Sequence, residues 1–189
     1  KDESAYNFAK KLFDSCLARI DSGNFYTLPY PLSPQFRAHG IPMILNDTTR
    51  EVVLAAEVFD TEALPQLKAR LEHFSADVLL NFADENRIVR DVIGSDNQQI
   101  PQILGQHVNP GHTLEDVWFL LNSAEYLQKP QWIQQARSIV RKTLEIGWDS
   151  AYGGLLHFCG IHGGKPEGEE GGVEEEPMLI QMKHGWADK

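Results

Sequence analysis

Residues 105–127 read Gly-Gln-His-Val-Asn-Pro-Gly-His-Thr-Leu-Glu-Asp-Val-Trp-Phe-Leu-Leu-Asn-Ser-Ala-Glu-Tyr-Leu. From His112 onward Leu114, Val117, Leu121 and Ala124 recur at spacings of three and four, with Leu120 and Leu127 beside them. That spacing predicts a largely buried helix over 112–127. His112, Glu115, Phe119 and Asn122 fall on its other side, flanked by Trp118. A second helix follows from Pro130 to Ile146 and stops at Gly147, so the two form a hairpin with a short turn. Upstream the same unit recurs. A helix over about 42–59, apolar on several sides, is followed closely by one over about 61–82, and a first helix spans about 3–20 through Tyr6, Ala9, Leu12, Phe13, Cys16 and Ile20. Between these units run long connections, about 25–42 with four prolines and about 94–111.

Five helices paired in hairpins, with long loops at alternate junctions, predict an all-α chain. The pattern fits an α/α toroid or a helical solenoid better than a four-helix bundle, whose loops would be short. Two short excursions into strand are expected at the rim. Arg87–Ile93 alternates weakly, and the glycine-bounded 153–164 segment reads as a β-hairpin. Residues 163–177 form an acidic Gly/Glu-rich loop, with Glu167, Glu169, Glu170, Glu174, Glu175 and Glu176 close together. A run of like charge reads first as a solvated loop and second as a binding handle.

The 189 residues carry 27 acidic and 17 basic side chains, for a formal net charge of −10. An acidic surface argues against nucleic acid, whose phosphates need a basic face. No apolar run is long enough to span a bilayer, and no secretion signal is visible, so neither membrane nor export is expected. Cys16 and Cys159 match no metal or redox spacing, which favours a reducing, cytoplasmic setting. The length suits one domain over 1–189.

The chemistry concentrates on the 112–127 helix. His112 and Glu115 lie three apart on one face, within reach of each other. Histidine titrates near neutrality, and a carboxylate can orient it, so the pair suits acid/base work. The positive end of the helix would further favour the neutral base. A plainer role is open too, in which Glu115 steadies the first turn and His112 is a satisfied near-cap residue. A zinc site from His107, His112 and Glu115 lacks a standard spacing, and no metal is expected. His157 and His162 read as loop histidines, His73 as structural, and His39 as a rim candidate. Neither a nucleophile elbow nor a phosphate-cradling loop is present.

Gly105-x-His-x-Asn-Pro-Gly-His-Thr-Leu-Glu-x-x-Trp-Phe-Leu-Leu121 resembles the central signature of the N-acylglucosamine 2-epimerase family. Gly147-Trp-Asp-Ser-Ala-Tyr-Gly-Gly-Leu-Leu156, Met182-Lys-His-Gly-Trp186 and Ile41-Pro-Met-Ile-Leu45 resemble further family segments in the same order. The resemblance implies part of an (α/α)6 barrel with a short β-hairpin in a rim loop. It implies a sugar epimerase or isomerase working at C2: a proton leaves the open-chain sugar, an enediol(ate) forms, and a proton returns. His112 would be one catalytic histidine and Glu115 its companion. Trp186 would face the sugar and Lys183 matches a family lysine beside it; Trp118, His107 and His39 are further candidates for substrate binding.

The same resemblance requires no cofactor, and leaves room for a nucleotide effector and for a homodimer beside the sugar substrate. It places a second catalytic histidine after the last segment matched, and a substrate-binding arginine before Lys1. A cellobiose-epimerase histidine is replaced by Met43, which favours the N-acylamino-sugar branch. Twelve helices of ~15 residues with their connections need roughly twice this length, so the chain is expected to be the central portion of such a barrel. Two other classes compete: an (α/α)6 glycoside hydrolase or lyase drawing on Asp84, Asp96, Glu115 or Asp116, and a non-catalytic helical protein-binding fragment.

Overall fold

A computed structural model describes residues 2–28 and 30–187, with side chains as far as Lys183. Six α-helices appear among them: α1 (Glu3–Asp21), α2 (Gly40–Phe59), α3 (Leu64–Asp77), α4 (Pro110–Tyr126), α5 (Pro130–Gly147) and α6 (Pro177–Ala187). The expected helices are all present, and α6 adds to them. Asp2 caps α1 by accepting from the Ser4 and Ala5 amides. The expected third helix begins at Leu64 and ends as an α-helix at Asp77; residues Val78–Phe82 continue it as a π-helical turn. That wider turn seats Val78, Leu79 and Phe82 in the core and leaves Leu80 outside. In α1 the buried residues are Tyr6, Phe13 and Leu17, whereas Leu12 and Cys16 face out.

α2 packs on α3 and on α4, and α4 packs on α5. The turns inside the hairpins α2–α3 and α4–α5 are short, residues 60–63 and 127–129. The connections between them are long: 22–39, 83–109 and 148–176. Because paired helices run antiparallel, all three long connections gather at one end, where α2, α4 and α6 begin. Two small antiparallel ladders tie them together. β1 (Phe36–Ala38) pairs with β2 (Val92–Gly94), and β3 (His107–Val108) pairs with β4 (Cys159–Gly160). The first ladder joins the first connection to the second, and the second joins the second to the third.

The β-hairpin expected over 153–164 does not form. Cys159–Gly160 pairs with β3 instead, 51 positions back at Cys159↔Val108, and Trp148 makes an isolated bridge to Leu155. Positive φ at Gly153, Gly154, Gly163 and Gly164 breaks the segment into turns too short for a ladder of its own. The expected strand near 87–93 is found only at its end, in β2, with a lone bridge from Val89 to Ala83. The acidic loop is more tightly held than a solvated run would be. Val173 is buried, Glu170 pairs with Lys183, and the Glu176 carboxylate accepts from the Ser33 amide.

Apolar clusters follow the same plan. One joins α1, α2 and α3 through Phe13, Leu45, Val53, Leu67 and Phe74. Another joins the π turn to α4 and α5 through Phe82, Val117, Leu120 and Ile139. A third holds the loop end and α6 through Val92, Leu104, Phe158 and Leu179. Between the helices lies one polar knot: the hydroxyls of Ser75 (3.0 Å) and Ser123 (2.7 Å) both donate to the Asn46 side-chain oxygen. All three residues are fully buried, so α2, α3 and α4 are in register only when this acceptor is in place. Replacing Asn46 by Ala should therefore cost about 2 kcal/mol, because a buried hydroxyl loses its acceptor. A urea unfolding curve with an unchanged midpoint would contradict that role.

Candidate active site

The start of α4 is built by three local devices. Asn109 caps the helix, its side-chain oxygen accepting from the His112 amide at 3.0 Å. Pro110 takes the first helical position, where no amide donor is needed. The Thr113 hydroxyl donates to the Asn109 carbonyl at 3.0 Å. The helix thus begins two residues before the start expected at His112, and Asn-Pro is the signal that marks it. Gly147, at the end of α5, lies against Pro110: a Cβ there would come within 2.5 Å of the proline ring. Two of the segments singled out in the sequence, Asn109–His112 and Gly147–Asp149, therefore meet at the base of the site.

His112, Glu115 and Trp118 are exposed and lie along one side of α4, with Asn122 half-buried beyond them. Phe119, expected on this side, is buried instead. Its ring lies 5.7 Å from that of Trp118. The His112 imidazole holds its proton less tightly than an ordinary histidine. Loss of solvent is the largest cause, the charge of His39 the next, and His157 adds to both, while the Glu115 carboxylate acts the other way. The expected preference for the neutral base is therefore present, through partial burial and neighbouring imidazoles. Glu115 acts on His112 through space, with no hydrogen bond between the two side chains among the described residues.

His39 and His107, expected at the sugar, are both enclosed by protein and present no open surface. His39, immediately before α2, is 1 % exposed, and its Nε2 lies 2.7 Å from Asp116 Oδ2, itself 1 % exposed. Burial by itself would strip the proton from His39. The hydrogen bond and charge of Asp116 outweigh it, with help from Asp91 and Asp77, so the imidazole holds its proton more tightly than usual. His107 lies in β3 with Nδ1–H donating to the Ile103 carbonyl at 2.9 Å. Burial pushes its pKa down to about 4. Lys183 pairs with Glu170 in a recess beside Ile103 and Pro166. The Trp186 side chain lies outside the described residues.

Sequence reasoning missed the pairing of Asp116 with His39. Asp116 follows Glu115 directly and reads as one more carboxylate, while its partner is 77 residues away. A polar residue inside an otherwise apolar helix face was the only available signal. Other carboxylates are committed elsewhere. Asp84 accepts from the Asn86 and Ile88 amides and pairs with Arg90 at 3.4 Å. No cluster of three or more His, Cys, Asp or Glu suited to a metal occurs among the described residues. No helix of the structure is long and apolar enough to cross a membrane, among the residues described. A cleft of about 360 Å³ lies between the end of α1, the start of α2 and α3, walled by Phe25, Phe36, Arg37 and Phe74; His112 is not part of it.

Residues 41–170 match the family model described as N-acylglucosamine 2-epimerase. The chain belongs to the N-acylglucosamine 2-epimerase family. It is 36 % identical over 85 residues to the rat N-acylglucosamine 2-epimerase, covering 43 % of this chain and 20 % of that one. It is 28 % identical over 163 residues to the bovine protein of the same name, covering 83 % of this chain and 37 % of that one. This member of the epimerase family thus spans well under half the length of those relatives. A solved D-mannose isomerase shares the fold, with a TM-score of 0.56 at 18 % identity, over 71 % of this chain and 32 % of that one.

Two buried groups give the epimerase-family chain a testable pH response. His107, pushed down to about 4, binds its proton in the unfolded chain near pH 6.5 but not in the fold, so acidification through that window destabilises. Asp91, pushed up to about 6 by burial, takes up a proton in the fold first and acts in the opposite direction. A His107→Gln variant keeps only the second effect. Its stability relative to the parent should improve by about 2 kcal/mol between pH 7 and pH 4.5; denaturation at both pH values checks this, and a constant difference would contradict it.

Proposed function

We propose that this chain carries one half of the acid/base machinery of a sugar 2-epimerase or isomerase, built on an (α/α)6 barrel of which the six helices form a central part. The observation that carries the reading is the exposed His112, with weakened proton affinity, set one turn from Glu115 at the capped start of α4. The names of the relatives point to an N-acylated glucosamine as the substrate class.

In this reading His112 takes the proton from C2 of the open-chain sugar. Its depressed pKa leaves the ring neutral and able to accept near neutral pH. The Glu115 carboxylate then steadies the imidazolium that results, since its charge favours that form. The Asn109 cap holds the His112 backbone, and the open side of α4 admits a sugar. Trp118, 62 % exposed on the same side, offers an apolar face to the pyranose or open chain. Epimerisation also needs an acid/base group on the opposite sugar face, which family resemblance places in a later segment.

A glycosidase would need two open carboxylates about 5 to 10 Å apart. Asp84 and Asp116 are engaged with Arg90 and His39, which favours the epimerase reading. The test is C2 hydrogen exchange in deuterated water, followed by proton NMR on N-acylglucosamine with the protein that contains this segment. His112→Ala should lower the exchange rate by about 100-fold or more, and Glu115→Gln by a smaller factor. Full exchange in both variants would remove these residues from the mechanism, and release of reducing ends without deuterium would favour the hydrolase.

A further inference from the structure

Replacing a buried charged pair by an apolar pair of similar size is often neutral or stabilising. The charged pair is nevertheless buried. His39 Nδ1 and Asp116 Oδ1 are both enclosed without a hydrogen-bond partner, so the pair is not stabilised to the full by its surroundings. Its place in the fold suggests what it does. His39 precedes α2, and its amide donates to the Asp91 carbonyl at 2.9 Å, which fixes its backbone to the second long connection. Its ring rests 5.7 Å from that of Phe82. Asp116 is one helical turn beyond His112 and adjacent to Glu115.

We propose that the buried His39–Asp116 pair is a positioning device for His112: it sets the roll of α4 against the start of α2, so that His112 and Glu115 face the open side, and it acts on the His112 ring electrostatically. The role of His112 itself rests on the epimerase reading, but the device and its test do not.

The roll follows from helix geometry. Rotating α4 by one residue would move Asp116 about 100° away from His39 and turn Glu115 toward the core, where its charge would have no partner. The charge follows from the groups that face each ring. His39 is faced by Asp116 from α4, by Asp91 from the segment before β2 and by Asp77 from α3; Asp77 is in turn paired with Arg37 of β1. His112 is faced by His39, by Glu115 on its own helix and by His157 from the connection after α5. The charge of the His39 ring is among those that act on His112. It favours the neutral, proton-accepting ring.

Nitrogen and carbon NMR of the 189-residue chain tests both parts. In the unaltered chain at pH 6, both His39 ring nitrogens should show imidazolium shifts; a neutral His39 ring would overturn the proposal. In His39→Gln the titration midpoint of His112 should rise. In Asp116→Asn it should also rise, because His39 then loses the partner that keeps it charged. An unmoved His112 midpoint in a variant that keeps the parent's circular dichroism would overturn the proposal. Loss of epimerase activity elsewhere in the protein would leave these midpoints unchanged, so failure of the functional reading is separable from failure of this one.

Discussion

His39 and Asp116 meet at 2.7 Å in a place that water barely reaches. Neither could be buried alone, since a lone ionised group there would lose several kcal/mol of hydration. Each therefore obliges the other to be present, and with them the two helices that carry them. The start of α2 must sit beside the first turns of α4. Everything at the loop end is arranged around that fact: β1 and β2 run in from either side, Arg37 reaches Asp77, and Phe82 of the π turn closes over the imidazole. The exposed line of His112, Glu115 and Trp118 is what remains of α4 once its other sides are used.

The alternation of short and long connections explains why chemistry gathers at one end. Turns of three or four residues between antiparallel helices leave no chain with which to build a site. The connections of 22–39, 83–109 and 148–176 have chain to spare, and they converge where α2, α4 and α6 begin. Helix starts carry unpaired amides and a partial positive charge. An end of this kind suits a reaction that develops negative charge on oxygen.

Much of this was legible in the sequence. Helix positions followed from apolar spacing, and the stretch from Gly105 to Leu121 carried the family resemblance by itself. His112 and Glu115 stood out because two titratable residues interrupted a buried helix. What could not be read was long-range. His39 looked like a rim residue because its partner is 77 residues away, and Cys159–Gly160 looked like part of a local hairpin because its ladder partner lies in another loop. Local spacing reports which face of a helix is apolar, but not which distant segment covers it. Phe119 shows the same limit: the wheel placed it beside His112, whereas its contacts turn that side of α4 partly inward.

The two ladders hold two and three residue pairs. Neither would persist in isolation, since even a longer two-stranded ribbon is marginal in water. They exist because the helices deliver their strands to each other, and the helices in turn keep their loop ends only while the ladders hold. The rim around His112 is thus one cooperative unit in the sense of hydrogen exchange: its amides should open together with the helical framework, in one event, and not as three separately breathing loops. The wall around the site is held by the helical framework although it is made almost entirely of connecting chain.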